Sequence, residues 1–409
     1  MNNSLIWKRE VLSNGLTVLQ YPNKSALTAQ LSIAVKYGSN DDGAGKEGTA
    51  HLLEHMLVGG SQKRIKLHHQ IEKIGGCSGF ETSNDSTFAW VSVFSGKIVE
   101  ASQILIELIF SQGFESDALG IERKVILNEI ADISDDPNEI ADQALLKSLF
   151  PTHPIRNLIA GTKAQVKMRK LLDIEESHHN QYVPKNMVLI LTGNYPDAND
   201  IIELFSDKEN HGSINRRLSV ETASPKKIKR LKKSGINQAY LNFGLRTPPA
   251  NHDDTAVFSL INSILGLGES SRLFIELREK RAFTYDFHSS NNTGLDYGYF
   301  SIACSVKEIL WKQTLEIIKA QLNKLTIDLI SEEELEKSKN LILGGIARGI
   351  DDPHELPRLI ADTELMFSNE KELSVYLERI RSLTSNDIMN VAKKYFREKN
   401  YSTAILGPK

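Results

Sequence analysis

Cysteine is nearly absent. The 409 residues hold two, Cys77 and Cys304, far apart in the chain. Two distant thiols cannot staple a small fold, which excludes a disulfide framework and fits a reducing compartment. An excess of either charge is missing too: 49 lysines and arginines face 52 acids, for a net charge of −3. That balance leaves no basic footprint for nucleic acid. The densest basic run, Lys226 to Lys233, lies in a linker-like stretch and reads as a solvated connector. Long apolar runs are also lacking. None approaches the roughly 18 residues of a membrane span, and Glu107 interrupts the most apolar helical stretch, Ile104 to Phe110. The opening Met1-Asn2-Asn3-Ser4-Leu5 has neither a basic start nor an apolar core of signal-peptide length. A cytoplasmic address, with no membrane and no nucleic-acid partner, is the expectation. The composition, 40% hydrophobic and 25% charged, is that of a globular chain long enough for two domains.

Against this plain background stands His51-Leu52-Leu53-Glu54-His55. Histidines four apart on a helix share one side, and the glutamate one turn after the first lies near them. Leu52, Leu53, Met56, Leu57 and Val58 make the helix apolar on most faces, hence buried. Buried imidazoles and a buried carboxylate are costly unless something binds them, and a metal ion would. The order His-x-x-Glu-His is the inverted zinc-peptidase motif. Thr49 is placed to cap the helix, and Gly59-Gly60-Ser61 to end it. The bland alternative is a core helix whose polar groups pair with one another.

The chain looks duplicated. Tyr182-Val183-Pro184-Lys185-Asn186-Met187 leads through a short apolar strand to Gly193, and Tyr395 to Gly407 follows the same plan 214 residues later. Each half reads as strands, a helix, a strand and then long helices, so the fold class is α+β with two homologous domains, each a sheet covered by helices. The division follows the repeat: 1–210, a linker at 211–235, and 236–409. In the second half the helix Asp253 to Leu265 holds the place of the His51 helix, without its motif.

A third metal ligand belongs on another element. Glu122 and Glu129, seven apart, fall on nearly one face of a helix with Val125, Ile126 and Leu127 between them. An exposed acidic stripe is the other reading, more natural for Glu122 than for Glu129.

Here the residues resemble the pitrilysin, insulysin and mitochondrial-processing-peptidase family of zinc peptidases, whose third ligand is a glutamate roughly 70 to 80 residues beyond the second motif histidine. Glu129 follows His55 by 74 residues. Asn14-Gly15-Leu16, Ile71 to Gly76, Gly161-Thr162 and Ile264 to Phe274 carry the likeness along nearly the whole chain. The glycine-rich loop at Gly266 and Gly268 also resembles a dinucleotide fingerprint but lacks the strand–loop–helix context. The resemblance implies one Zn²⁺ held by His51, His55 and Glu129. It makes Glu54 the general base toward a metal-activated water, and Glu122 the residue that steadies a histidine ring. It implies hydrolysis of peptides or unfolded segments within a clamshell-type fold. Arg278 and Tyr285, seven apart, match the family's pair for oxyanion or substrate stabilisation. Gly79-Phe80-Glu81-Thr82 matches its substrate-binding edge strand, except that many active members carry Asn-Ala where Gly79-Phe80 stands. In larger relatives four such domains close together, with the metal in the first and the Arg–Tyr pair in the fourth. A two-domain chain is therefore expected to form a homodimer with Arg278 and Tyr285 acting in trans. A non-catalytic or partner-dependent structural subunit is the alternative. A cysteine enzyme using Cys77 has no histidine tied to it by motif.

Overall fold

Turn chemistry starts the first sheet. Asn14 and Gly15 reverse the chain between β1 (Lys8–Val11) and β2 (Thr17–Pro22). Gly15 takes φ 84°, a left-handed conformation that favours glycine, and Asn14 accepts a hydrogen bond from the Leu16 N–H. The computed structural model describes residues 7–409 except 215, 217, 224, 226, 286, 370 and 371. Met1 to Leu5, Lys226 and three further linker positions therefore lie outside the described residues.

The first repeat continues with β3 (Thr28–Val35), α1 (Thr49–Gly59), α2 (Gln62–Lys73), β4 (Cys77–Thr82), β5 (Thr87–Phe94), α3 (Ile98–Phe110) and α4 (Ser116–Asp135). It ends with α5 (Pro137–Leu149), α6 (Lys163–Met168), α7 (Leu171–Gln181), β6 (Met187–Gly193) and α8 (Ala198–Ile202). The second repeat runs β7 (Ile228–Lys233), β8 (Ala239–Arg246), α9 (Asp254–Gly266), β9 (Phe287–Thr293), β10 (Gly298–Val306) and α10 (Trp311–Ile327). It closes with α11 (Glu332–Asp351), α12 (Glu355–Phe367), α13 (Glu372–Ser382), α14 (Ser385–Tyr395) and β11 (Ser402–Pro408).

The duplication is plain in the sheets. The first is ordered β1-β2-β6-β3-β5-β4 and the second β7-β11-β8-β10-β9. β2 lies parallel to β6 as β7 does to β11, and every later neighbour is antiparallel in both. Among the described residues the hairpin strand β1 is the only addition. The domains are thus α+β and homologous, as the element order predicts.

One expectation is corrected. Much of the basic run is not connector but the edge strand β7, paired with β11 from Ile228 opposite Thr403 onward. Leu231 packs into a cluster of Ala144, Leu145 and Leu149, while Ile228, Arg230 and Lys232 stay exposed. Lysines on an edge strand discourage pairing with other chains, so the composition that suggested a linker suits the strand.

Each compact unit also holds a segment of the other repeat. One unit gathers Met1–Ala131, Leu158–Arg217 and Gly349–Leu373; the other gathers Asp132–Asn157, Leu218–Arg348 and Ser374–Lys409. Thus α5 packs on β8 and β11, and α12 on β3 and β6. The Glu364 carboxylate of α12, only 1% exposed, is gripped by Arg9 of β1 through two hydrogen bonds of 2.9 and 3.0 Å. A buried, bidentate pair of this kind fixes orientation as well as neutralising charge. With α12 on the face opposite α1 and α3, β3 and β6 are buried on both sides; β6 reads as a nearly continuous apolar run, whereas β3 carries the buried polar residues Gln30 and Ser32, hydrogen-bonded to each other at 3.0 Å.

The α3 terminus shows how the core treats polar groups. His178 of α7 is buried with Nε2 2.7 Å from the Ile109 carbonyl, one of the last-turn carbonyls a helix leaves unpaired. Its ring packs against Phe114 and Tyr182. Burial, aided by Arg64, pulls its pKa down to about 4, against the hydrogen bond to Ile109, so the native imidazole is neutral and donates. The unfolded chain takes up a proton below pH 6.5 and the folded one only near 4, so stability from this group falls as pH drops through that window. The loss approaches about 3 kcal/mol. Urea unfolding of His178→Gln between pH 7 and 4 should show a shallower decline than the parent, although the variant is weaker at pH 7. Equal slopes would mean that His178 is not neutral in the native state.

Candidate metal centre

The helix α1 sits where two close backbone approaches allow it. Gly48, at φ 85°, precedes it, and Gly161 faces it at φ 71°. A Cβ on Gly161 would come within 2.6 Å of the Glu47 carbonyl, and one on Gly48 would strike the Ala160 carbonyl. Thr49 does not cap the helix: its hydroxyl turns back to the Lys46 carbonyl, and Gly48 occupies the cap position. The role passes to Asp42, which sequence reasoning missed. Its carboxylate accepts the N–H of Thr49 at 3.0 Å, the N–H of Ala50 at 3.1 Å and the Tyr37 hydroxyl at 2.8 Å. Burial pushes this carboxyl up to about 7 against those three bonds. An acid at a helix start satisfies orphan N–H groups and the helix dipole together.

Along α1 the leucines and Met56 are buried, whereas His51, Glu54 and His55 are half-buried on one side. Glu122 and Glu129 of α4 face them. The Glu122 carboxylate lies against the Cα of Gly59, in space a side chain would fill, and reaches His55 Nδ1 at 3.1 Å. That bond turns His55 Nε2 toward Glu129 Oε1, 3.5 Å away. His51 Nε2 is 3.8 Å from the other Glu129 oxygen and 3.9 Å from Glu54 Oε2. Enclosure runs opposite to the sequence reading: the Glu122 side chain is 16% exposed and that of Glu129 40%. Glu122 is therefore not part of an open acidic stripe.

Donor atoms of His51, His55 and Glu129 all lie within 4.8 Å of one another, the one such group among the described residues. Ligands about 2.0–2.2 Å from a tetrahedral zinc ion stand roughly 3.3 Å apart. Two imidazoles and a carboxylate at this spacing fit that ion. Their protonation suits it too. Burial, with His55 nearby, lowers the His51 pKa to about 4, leaving a neutral ring free to ligate. Burial pulls His55 the same way, but the Glu122 hydrogen bond and the acids Glu54 and Glu129 outweigh it and raise its pKa. That raised affinity for a cation sits where a metal would bind. His51 Nδ1 is buried without a hydrogen-bond partner among the described residues. Glu54 points to the same spot from the side. Burial raises its pKa against His55 and the Thr82 hydroxyl, which donates to it at 3.2 Å.

The edge-strand residues divide between roles. β4 is the last strand of its sheet. Thr82 is buried beside Glu54, and Phe80, on the same face, packs half-buried against the core with its ring edge-on to His68. Glu81 is exposed and paired with Arg358 at 3.1 Å. Gly79 lies under the indole of Trp90. In the other unit the Arg278 guanidinium sits between the rings of Phe274 and Tyr285, 4.8 Å from each. Tyr285 is no core aromatic: it is 82% exposed. The Gly266–Gly268 segment follows α9 and leads to a helical turn at Phe274–Glu279, not from strand to helix, so it forms no dinucleotide fingerprint. Cys77 is exposed, and burial pushes the Cys304 thiol up to about 12. Among the described residues no helix is long and apolar enough to cross a membrane.

Comparison with known proteins speaks to the family and the fold. Residues 17–163 match the model of the insulinase family, peptidase family M16, and residues 171–342 that of the peptidase M16 inactive domain. The chain is 26% identical to an uncharacterized zinc protease of Mycobacterium leprae, over 98% of this chain and 91% of that protein. It is 24% identical to the uncharacterized zinc protease YmxG of Bacillus subtilis, over 98% of each. In fold it is similar to a protease from Helicobacter pylori, with a TM-score of 0.90 at 22% identity over 98% of this chain and 99% of that one. A peptidase M16 inactive domain from Pseudomonas fluorescens gives a TM-score of 0.90 at 22% identity over 98% of each chain.

The Asp42 cap yields a test. Asp42→Ala strips two N–H groups of α1 and the Tyr37 hydroxyl of their partner in a buried place. Loss of a cap costs about 1 kcal/mol and each buried unpaired donor adds to it, so roughly 2–4 kcal/mol is expected in urea unfolding. A variant as stable as the parent would show that the first turn is held by something else.

Proposed function

Because the chain belongs to the insulinase (M16) peptidase family, we propose that it is a zinc-dependent endopeptidase acting on peptides or unfolded segments. The observation that carries this reading is the convergence of His51 Nε2, His55 Nε2 and the Glu129 carboxylate, with Glu54 beside them. One zinc ion held there would polarise the scissile carbonyl and acidify water. Glu54 removes a proton from the attacking water and returns it to the leaving amine, a task for which its raised pKa suits it. Thr82 holds that carboxylate in place. Glu122 fixes the tautomer and direction of His55, and such partners are commonly worth 10- to 100-fold in metal affinity. Gly79, Phe80 and Glu81 offer an edge to which substrate adds by main-chain pairing.

The second reading, a non-catalytic subunit, has support in the match of residues 171–342 to a domain described as inactive. That match lies outside the helix that carries His51, Glu54 and His55. Against it stands the complete set of metal donors, base and ring-steadying acid in the first repeat.

We also propose a homodimer in which Arg278 and Tyr285 of one subunit serve the metal centre of the other. The exposure of Tyr285 and its stacking on Arg278 favour a pair built to face something beyond its own unit. A phenol and a guanidinium are suitable donors to a developing oxyanion.

Two measurements decide these readings. Glu54→Gln keeps shape but cannot take a proton: it should retain about one zinc per chain and lose peptide hydrolysis by a factor on the order of 10² to 10⁴. Parental turnover in this variant would remove Glu54 from its role, and full zinc occupancy after His51→Ala with His55→Ala would remove the site. For the dimer, Glu54→Gln protein is mixed with Arg278→Ala, Tyr285→Phe protein. If the pair acts in trans, a mixed dimer has one intact site and activity partly returns after subunit exchange. A mixture that stays dead although mixed dimers form rules out action in trans.

A further inference from the structure

The departure from the family pattern at Gly79 has a counterpart on the neighbouring strand. Gly79 pairs with Trp90 across β4 and β5. A Cβ on Gly79 would come 2.6 Å from Trp90 Nε1 and 2.7 Å from Cε2, so the indole lies over the glycine Cα. Any other residue at 79 would force the ring away. Trp90 alternates along β5 with the core residues Ala89 and Val91, which puts it on the face away from α1. There the ring of His354, at the start of α12, meets it edge-on with centroids 5.5 Å apart. One turn along, Arg358 is already committed, bonded to Glu81 at 3.1 Å and Asp362 at 3.3 Å and lying over Phe88.

Strands in a sheet are about 4.8 Å apart, so a peptide added to the open edge of β4 would lie roughly 10 Å from β5. A side chain on β4 would normally stand between the two. At Gly79 none does, and the indole spans the gap. A peptide residue opposite Gly79 would direct its side chain to this same face, toward Trp90 and His354. We infer that Gly79, Trp90 and His354 form a substrate subsite that selects an aromatic side chain. The inference rests on the peptidase reading with main-chain addition to β4.

The test measures binding, so it does not depend on turnover. Peptides differing only as phenylalanine or alanine at one position, scanned along the sequence, are titrated against zinc-loaded Glu54→Gln protein. One position should favour phenylalanine by roughly 3- to 10-fold, the range that aromatic contacts give. Adding Trp90→Ala should bring that ratio close to one. Gly79→Ala, which displaces the indole without removing it, should do the same; thermal melting and zinc content check that both variants are folded. A scan of backbone N-methylated peptides separates the two levels of the argument. If no N-methyl group weakens binding, or no peptide binds, edge-strand addition fails and this inference with it. If N-methylation blocks binding but the phenylalanine preference survives both substitutions, the inference alone is overturned.

Discussion

A helix buried on most of its faces can carry two imidazoles and a carboxylate only if groups on another element compensate them. That constraint orders the first domain. Leu52, Leu53, Met56 and Leu57 pull α1 into the core, and desolvation then acts on His51, Glu54 and His55 together, lowering one and raising another. The compensation comes from α4, whose two acids, seven residues apart, both reach the donors on α1. Glu122 takes His55 Nδ1, which leaves Nε2 free to point at Glu129. A single hydrogen bond thus decides which nitrogen of His55 faces Glu129 and would be offered to a metal. Charge, tautomer and direction are settled in one contact.

Such proximity requires missing side chains. Gly48 and Gly161 let the start of α1 meet the segment before α6, Gly59 makes room for the Glu122 carboxylate, and Gly79 makes room for an indole. Each is a place where a methyl group would strike a neighbouring backbone or side-chain atom. The cap follows the same logic. With glycine at the cap position, no side chain there can serve the first N–H groups, and Asp42 supplies the acceptor from a separate turn.

Much of this was legible. Periodicity placed α1, α4 and the main strands, the repeat of Tyr182 and Tyr395 announced two homologous sheets, and the motif with Glu129 named the three candidate donors that the fold brings together. What remained hidden depends on non-local geometry. Amphipathic periodicity says that α5 and α12 bury a face but not on which sheet, so the exchange of segments between units is invisible in sequence. Asp42 reaches α1 through a short turn that no local pattern marks. Lysine content outweighed alternation in β7, and the enclosure of Glu122 depends on Gly59, a residue on another helix whose missing side chain leaves room for the carboxylate. Cross-strand pairing of Gly79 with Trp90 is likewise a matter of register, which composition does not carry.

The duplication supplies an internal control on the meaning of the polar helix. In the second domain, α9 follows its strand as α1 follows β3 and lies beside a sheet of the same order. Its buried positions are Val257, Phe258, Leu260, Ile261, Ile264 and Leu265, and its polar groups find ordinary partners: Asn262 accepts from Ser289, and Ser263 donates to the Ser338 carbonyl. The topology therefore stands on an apolar helix. Two histidines and a glutamate at the corresponding place in the first domain are not a requirement of the architecture, and their desolvation works against it. Their convergence with Glu129 on one point is what distinguishes the first domain from the second, and the sheet that supports both does not account for it.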